Sequence, residues 1–281
     1  MNSIFVFYAG IVVLVVVLGD FLLATLGASP RFVISDQLVR LLYRPLVWLC
    51  RIKGFRWLSP IVGVLVMVGV ATFWIFGTAW GWTLVFLSDT DSIKLNSTAP
   101  GSSPGFWDYH AHVGHLLSTL GATLTAPNGT DWNLVGAAVG TNGMILLTLS
   151  FSFILSTTQT VQSGRALASL VRTMPADRSV SDLLPRLADV VAALNNAPFA
   201  AYYCHHHERR DLGVAVLRLA VRARREGGEV EKRALLLMSD LPHIGCSGPG
   251  DTVTLEDVEN WARRHSALDP RLEGGEVRLR A

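Results

Sequence analysis

Charge is scarce in this chain. Only 16% of its 281 residues are Asp, Glu, Lys or Arg, where an ordinary soluble domain carries about 25%. That shortage argues against a wholly soluble protein. It is also local. Residues 1–158 hold 7 Lys/Arg and 6 Asp/Glu, and the other 17 and 16 fall in 159–281. The first half reads as membrane-embedded and the second as a soluble domain. Cysteine is nearly absent: Cys50, Cys204 and Cys246 stand far apart, which excludes a disulfide scaffold and a CxxC zinc pattern. A formal net charge of +2 lacks the basic excess of a nucleic-acid binder. There is no repeat, no P-loop and no GxGxxG. No Ser-His-Asp or paired-carboxylate constellation stands out. Neither an enzyme nor a bound cofactor is expected.

What the chain does have is long apolar runs. The first, Ile4 to Leu26, is broken only by Asp20. Roughly 20 apolar residues span a bilayer core. The n-region MNSIF lacks the positive charge of a signal peptide, so an uncleaved span is expected. The second run, Pro60 to Leu87, is uncharged, with Ser59 and Pro60 as cap and first-turn residue. Trp74, Trp80 and Trp82 cluster toward its far end, where an aromatic belt would sit. The third, Leu134 to Thr158, is also uncharged and is punctuated by Gly136, Gly140, Asn142 and Gly143. Gly136 and Gly140 form GxxxG, which permits close helix approach.

The loops set an orientation. Segment 28–58 carries Arg31, Arg40, Arg44, Arg51, Lys53 and Arg56 against Asp36, while 88–133 has Lys94 alone. The positive-inside rule then places 28–58 and the C-terminal region in the cytoplasm and the N-terminus outside. Residues 36–52 read as an amphipathic helix on the inner surface, kinked at Pro45 and pairing with anionic lipid headgroups. Asp20, near the inner end of the first span, is expected to snorkel or to pair with an arginine of 31–56.

Between the second and third runs lies PGFWDYHAHVGHLLSTLGATLTAP (104–127). Phe106 to Leu120 has helical character but is too short to cross. A Gly- and Thr-rich strip and Pro127 follow. A short helix that dips in and returns as extended chain is the plan of a pore loop. Span, pore helix, Thr-x-Gly strip, Pro and glycine-bearing span together resemble the two-transmembrane pore module of potassium channels. The nearer likeness is to a bacterial group with an extra N-terminal span and a helical cytoplasmic tail, whose filter typically reads T-L-G-N-G-D-x-x-P. Thr119, Leu120, Gly121 and Pro127 match that pattern. GTNGMILLTLSFSFILS (140–156) resembles the group's inner helix, and LPRLADVVAALNNAPFAAYYCHHHERR (184–210) its tail. The likeness covers most of residues 1–225.

That resemblance implies an all-α membrane protein with three transmembrane helices, a re-entrant pore helix and filter-like loop, and an α-helical cytoplasmic domain. Its parts would be an N-terminal transmembrane helix (1–27), a cytoplasmic or interfacial amphipathic segment (28–58), a pore module (59–158) and a cytoplasmic helical domain (159–281). It implies a homotetrameric, multi-pass channel of a bacterial plasma membrane that passes a monovalent cation, K⁺ by likeness. Thr119, Leu120, Gly121, Ala122 and Thr123 would be the ion filter. Thr123 stands where the family has its second glycine and Leu124 where it has an acid, so the filter is degenerate. A β-branched Thr at positive φ is a steric outlier. The alternative is a non-conducting pore-homologous scaffold that meets an unknown cytoplasmic partner through its tail.

Thr141, Thr148, Ser152 and Ser156 fall on one helical face. They either line a wet cavity or bond to their own backbone one turn back. Gly143 is a gating hinge by resemblance, or a packing glycine. His110, His112 and His115 flank the pore helix as titratable groups. In the tail, helices are expected over Ser181–Leu194, Pro198–Arg225 and Glu229–Ser239, with a break at Met174–Arg178 and a loop over 241–252. Thr254 with Asp257 reads as a capping box opening Leu255–His265. His205, His206 and His207 invite a metal reading, but consecutive residues on a helix point about 100° apart. A polar face is the favoured reading and no metal is expected.

Overall fold

The computed structural model describes residues 3–25, 34–96, 103–121, 124–175, 177–248 and 252–279. It is mostly helical, and among the described residues three helices are long and apolar enough to cross a membrane: α1 (Ile4–Thr25), α3 (Ser59–Leu87) and α5 (Thr130–Thr173). Each matches one apolar run of the sequence. At 1.5 Å per residue α3 is about 44 Å long and α5 about 66 Å, against a bilayer core of roughly 30 Å. Both therefore outrun the core.

The chain divides into two compact units. The first draws on residues 1–25, 33–35 and 70–152. Here α1 and α3 run antiparallel, with the Ser3 N–H donating to the Ser88 carbonyl at 2.9 Å. Glycine permits their close approach: a Cβ built at Gly10 would lie 2.8 Å from the Gly81 carbonyl oxygen, and one at Gly81 would lie 2.7 Å from Leu14. Asp20 is buried beside them. Its carboxylate accepts from Trp74 Nε1 at 2.9 Å and from the Ser35 N–H at 3.0 Å. Among the described residues these partners are neutral and no arginine joins them; Arg31 and the Arg56 side chain lie outside the described residues. A neutral indole satisfies the acid without bringing a second charge into the apolar layer. Trp74 is accordingly fully buried and is no member of an aromatic belt.

The second unit draws on 26–32, 36–69 and 153–281. Its core is formed by α6 (Leu184–Asn196), α7 (Leu212–Glu226), α8 (Gly228–Ser239) and α9 (Leu255–His265), packed with the last turns of α5. The break after Thr173 and the periodic face of α6, with Leu187, Val190, Val191 and Leu194 buried, are as the sequence implies. The capping box is present too: Asp257 N–H donates to Thr254 Oγ1 at 3.3 Å and Thr254 N–H to Asp257 Oδ2 at 2.9 Å.

Four expectations for this unit are corrected. The helix foreseen over Pro198–Arg225 is broken into 3₁₀ turns at Pro198–Tyr202 and Glu208–Arg210, with α7 starting only at Leu212. Asp211 caps α7, accepting from the Val214 N–H at 3.0 Å, and so fixes its start. The unit is not wholly helical either. β3 (Pro270–Glu273) pairs antiparallel with β4 (Glu276–Leu279) around Gly274-Gly275, both at positive φ, as a two-residue hairpin turn demands. Finally, α2 (Ile34–Arg51) runs through Pro45 unbroken, and its face of Val39, Tyr43, Val47 and Cys50 is buried. Tyr43 packs edge-on to Tyr202, with ring centroids 4.9 Å apart. One face of α2 is thus packed within the second unit rather than open on the surface of the chain. Ser59 does not cap α3; its hydroxyl meets His206 Nδ1 at 3.0 Å.

Candidate functional site

The short helix between α3 and α5 exists and is shorter than foreseen: α4 spans Phe106–Leu117. Gly105 precedes it, with its N–H donating to Asp108 Oδ2 at 2.7 Å. Tyr109, His112 and Val113 face inward against Ala79, Phe86 and Val139. Two polar ties hold the layer. Thr83 Oγ1 meets His110 Nδ1 at 3.0 Å, and Trp82 Nε1 donates to Asn142 Oδ1 at 3.1 Å.

The chain leaves and returns at one place. β1 (Ile93–Leu95), just after α3, pairs antiparallel with β2 (Thr125–Pro127), just before α5. The register sets Ile93 opposite Pro127 and Leu95 opposite Thr125. Asn128 N–H donates to the Ser92 carbonyl at 2.8 Å, and Asn96 N–H to the Leu124 carbonyl at 2.9 Å. His112 Nδ1 meets Thr125 Oγ1 at 2.8 Å in a buried contact. That contact pins the middle of α4 to the returning strand.

The end of α4 differs from an extended strip beginning at Thr119. Ser118 is the C-cap. Thr119 has φ +60°, its N–H donates to the Leu116 carbonyl at 3.0 Å, and Leu120 N–H reaches back to His115 at 3.1 Å. This is a Schellman closure with Thr in the left-handed position usually held by glycine. A β-branched residue at positive φ is thus found at Thr119, while the strain expected at Thr123 falls on a position outside the described residues. Gly121 is left-handed as well, at φ +74°. Thr119, Leu120 and Gly121 are exposed on the single chain. Ala122 and Thr123 lie outside the described residues. The Leu124 carbonyl is already committed to Asn96.

Three glycines of α5 face the end of α4. Cβ atoms built at Gly136 and Gly140 would make ordinary contacts with Leu116, at 3.5 and 3.8 Å. One built at Gly143 would lie 2.1 Å from the Leu117 carbonyl oxygen. Gly143 is thus a close-packing glycine, and α5 continues through it without a break. The hydroxyl stripe bonds along its own helix: Thr141 to the Ala137 carbonyl at 3.0 Å, Thr148 to Met144 at 2.9 Å and Ser152 to Thr148 at 3.2 Å. All three residues, and Ser156, are exposed on the single chain. Gly114, Leu117, Thr119, Gly143, Leu147 and Thr148 border an open cavity of about 780 Å³.

His205, His206 and His207 lie in a loop, not on a helix, with neighbouring rings 4.7 and 4.0 Å apart. Burial, reinforced by the neighbouring His206, pushes His205 down to about 4. His205 Nδ1 accepts from the His207 N–H at 2.9 Å. Among the described residues no group of three or more His, Cys, Asp and Glu side chains is arranged to hold a metal ion. The pairing of β1 with β2 was not foreseen, nor was the contact of α2 with α9, where Arg51 donates to the Arg263 carbonyl at 2.8 Å. A period-2 reading of Ile93–Leu95 is too short to register, and the α2 contact leaves no local signal.

No family model matches the chain, and no solved structure matches it. It is similar to the uncharacterized membrane protein YdjJ of Bacillus subtilis (strain 168), 28% identical over 181 residues. The match covers 60% of this chain and 49% of that one, so it spans about half of the relative's length. The likeness and the three apolar helices make this a membrane protein.

Proposed function

We propose that the chain is a pore-loop protein, a potassium-channel-like subunit that passes monovalent cations across a plasma membrane as a homotetramer. The observation that carries this reading is the closed return of residues 93–127. The β1–β2 register brings the loop's exit to its entry, and α4 stands between α3 and α5 as a helix too short to cross. One such loop per chain cannot ring an axis; four can. Exposed Thr119, Leu120 and Gly121 would then meet their copies at the centre. The exposed hydroxyls of Thr141, Thr148 and Ser152 would face the wet side of α5. The N-terminus is assigned to the outside and residues 28–58 and 159–281 to the cytoplasm, on the charge of the loops.

A second reading has its own observation. Thr119 is the left-handed residue that closes the end of α4 after its Ser118 cap, and the filter pattern lacks its second glycine at Thr123. Both favour a non-conducting scaffold acting through its tail. Ion flux in liposomes under K⁺, Na⁺ and Cl⁻ gradients separates the two, with Thr123→Gly run beside the wild type. K⁺ and Na⁺ flux without Cl⁻ flux in the wild type supports the pore. Flux gained only in Thr123→Gly supports the scaffold. Flux of Cl⁻ equal to that of cations would overturn both.

A further inference from the structure

Helices α2 and α9 border an open cavity of about 490 Å³. Its wall holds four guanidinium groups, Arg44 and Arg51 from α2 with Arg263 and Arg264 from α9, and one carboxylate, Asp269. That carboxylate is committed. Arg263 Nε meets it at 3.1 Å and Arg271 at 3.2 Å. Burial works to raise the Asp269 carboxyl, but the Arg263 hydrogen bond and the charge of Arg51 together hold it below the usual range. Arg51 is committed too, donating to the carbonyls of Arg263 at 2.8 Å and Ser266 at 3.3 Å. Those bonds fix the spacing of the two helices.

Arg44 and Arg264 remain. Arg44 makes no hydrogen bond or ion pair among the described residues, and Arg264 uses only Nε, on the Asn260 carbonyl at 3.1 Å. Two available planar forks on opposite walls, with positive charge in excess, match a tetrahedral oxyanion. The surroundings choose its source. Leu41 and Trp48 flank Arg44 on the exposed face of α2 and are 70% and 67% exposed. Leu42, on the neighbouring face, lies over Gly69 of α3. An exposed apolar stripe with Trp and Arg, between two membrane-crossing helices in the chain, is the pattern of an interfacial helix.

We propose that the α2–α9 cavity binds the phosphate of an anionic phospholipid headgroup. The inference rests on the membrane placement of α2, not on conduction. The test uses the full chain, delipidated in mild detergent. Native mass spectrometry follows the binding of phosphatidylglycerol, phosphatidylcholine and soluble glycerol phosphate. Variants are the double Arg44→Gln, Arg264→Gln and, as a control on α8, Arg233→Gln. All three positions are exposed, and thermal unfolding verifies that each variant folds. The wild type is expected to prefer phosphatidylglycerol over phosphatidylcholine. The double variant should lose about tenfold in phosphatidylglycerol affinity while the control loses none. Unchanged affinity in the double variant would overturn the site. Glycerol phosphate bound as tightly as the lipid would overturn the lipid source and assign the pocket to a soluble phosphate ester. A silent channel that keeps the lipid preference would count against the pore alone.

Discussion

Thr119 is the most informative single residue. A β-branched side chain at φ +60° stores strain of order 1–3 kcal/mol, and the position is one that glycine fills freely. Thr119→Gly should therefore stabilise the fold by about 1 kcal/mol, seen as a raised unfolding temperature in detergent. If Thr119 serves ion passage, that gain should come with lost cation flux. The sequence marks Thr119 by its place in a Thr-Leu-Gly pattern but cannot assign its backbone angle. Whether a Thr caps a helix or begins a strip depends on where the helix stops, and its last turn is closed by Leu120 reaching back to His115. A second residue, Asp211, was absent from the candidates because nothing local distinguishes a capping Asp from a solvated one. It is fully buried. That burial pushes its carboxyl up to about 6, against the hydrogen bonds it accepts from backbone N–H groups. A raised carboxyl gives stability that is present below the ordinary value and lost as pH rises through about 6. Wild type should lose about 3 kcal/mol relative to Asp211→Asn between pH about 4 and 6, because Asn caps without titrating. His265 has the opposite slope. Burial pushes it down to about 3, so its contribution is lost as pH falls below its ordinary value. Comparing unfolding temperatures of the two chains at each pH cancels that background.

At the scale of elements, the apolar runs foretell α1, α3 and α5, because uninterrupted hydropathy over 20 residues has few other uses. The periodic faces of α6 and the cap of α9 are legible for a similar reason: each is written within one or two turns. The short β1–β2 and β3–β4 pairs are not, although Glu273-Gly274-Gly275-Glu276 does carry the composition of a tight hairpin. The close approach of α5 to α4 lies between these cases. Glycines at 136, 140 and 143 announce a contact but not its partner. The three positions should differ sharply on substitution. Gly136→Ala and Gly140→Ala meet ordinary contact distances and should be tolerated. Gly143→Ala drives a methyl into the Leu117 carbonyl and should cost about 1–3 kcal/mol. Thermal unfolding of the three variants side by side reads this directly, and equal behaviour would remove the packing role of Gly143.

At the scale of the whole molecule, a single chain exposes Leu120, Leu134, Met144, Leu147 and Phe151 on or beside the inner helix, each more than 60% exposed. Lipid covers such a surface as readily as protein does, so exposure alone does not choose. The pore reading does, since it requires four copies. Size-exclusion chromatography with light scattering, in mild detergent and after lipid reconstitution, is expected to give a mass of four chains. A monomer or dimer in both settings would end that reading. A four-fold assembly is expected only through the resemblance, because contacts between copies leave no periodic trace within one chain.

The acid in the first span has a consequence in time. Asp20 finds its partners at Ser35 and Trp74, and synthesis reaches the second of these more than fifty residues later. Until then the ribosome has delivered an apolar segment with an unanswered carboxylate in its last turns, and a buried Asp costs up to about 3 kcal/mol on insertion scales. α1 and α3 should therefore settle into the bilayer as a couple rather than one after the other. A nascent chain halted before residue 74 should hold its first segment less firmly in the membrane than one halted after residue 90.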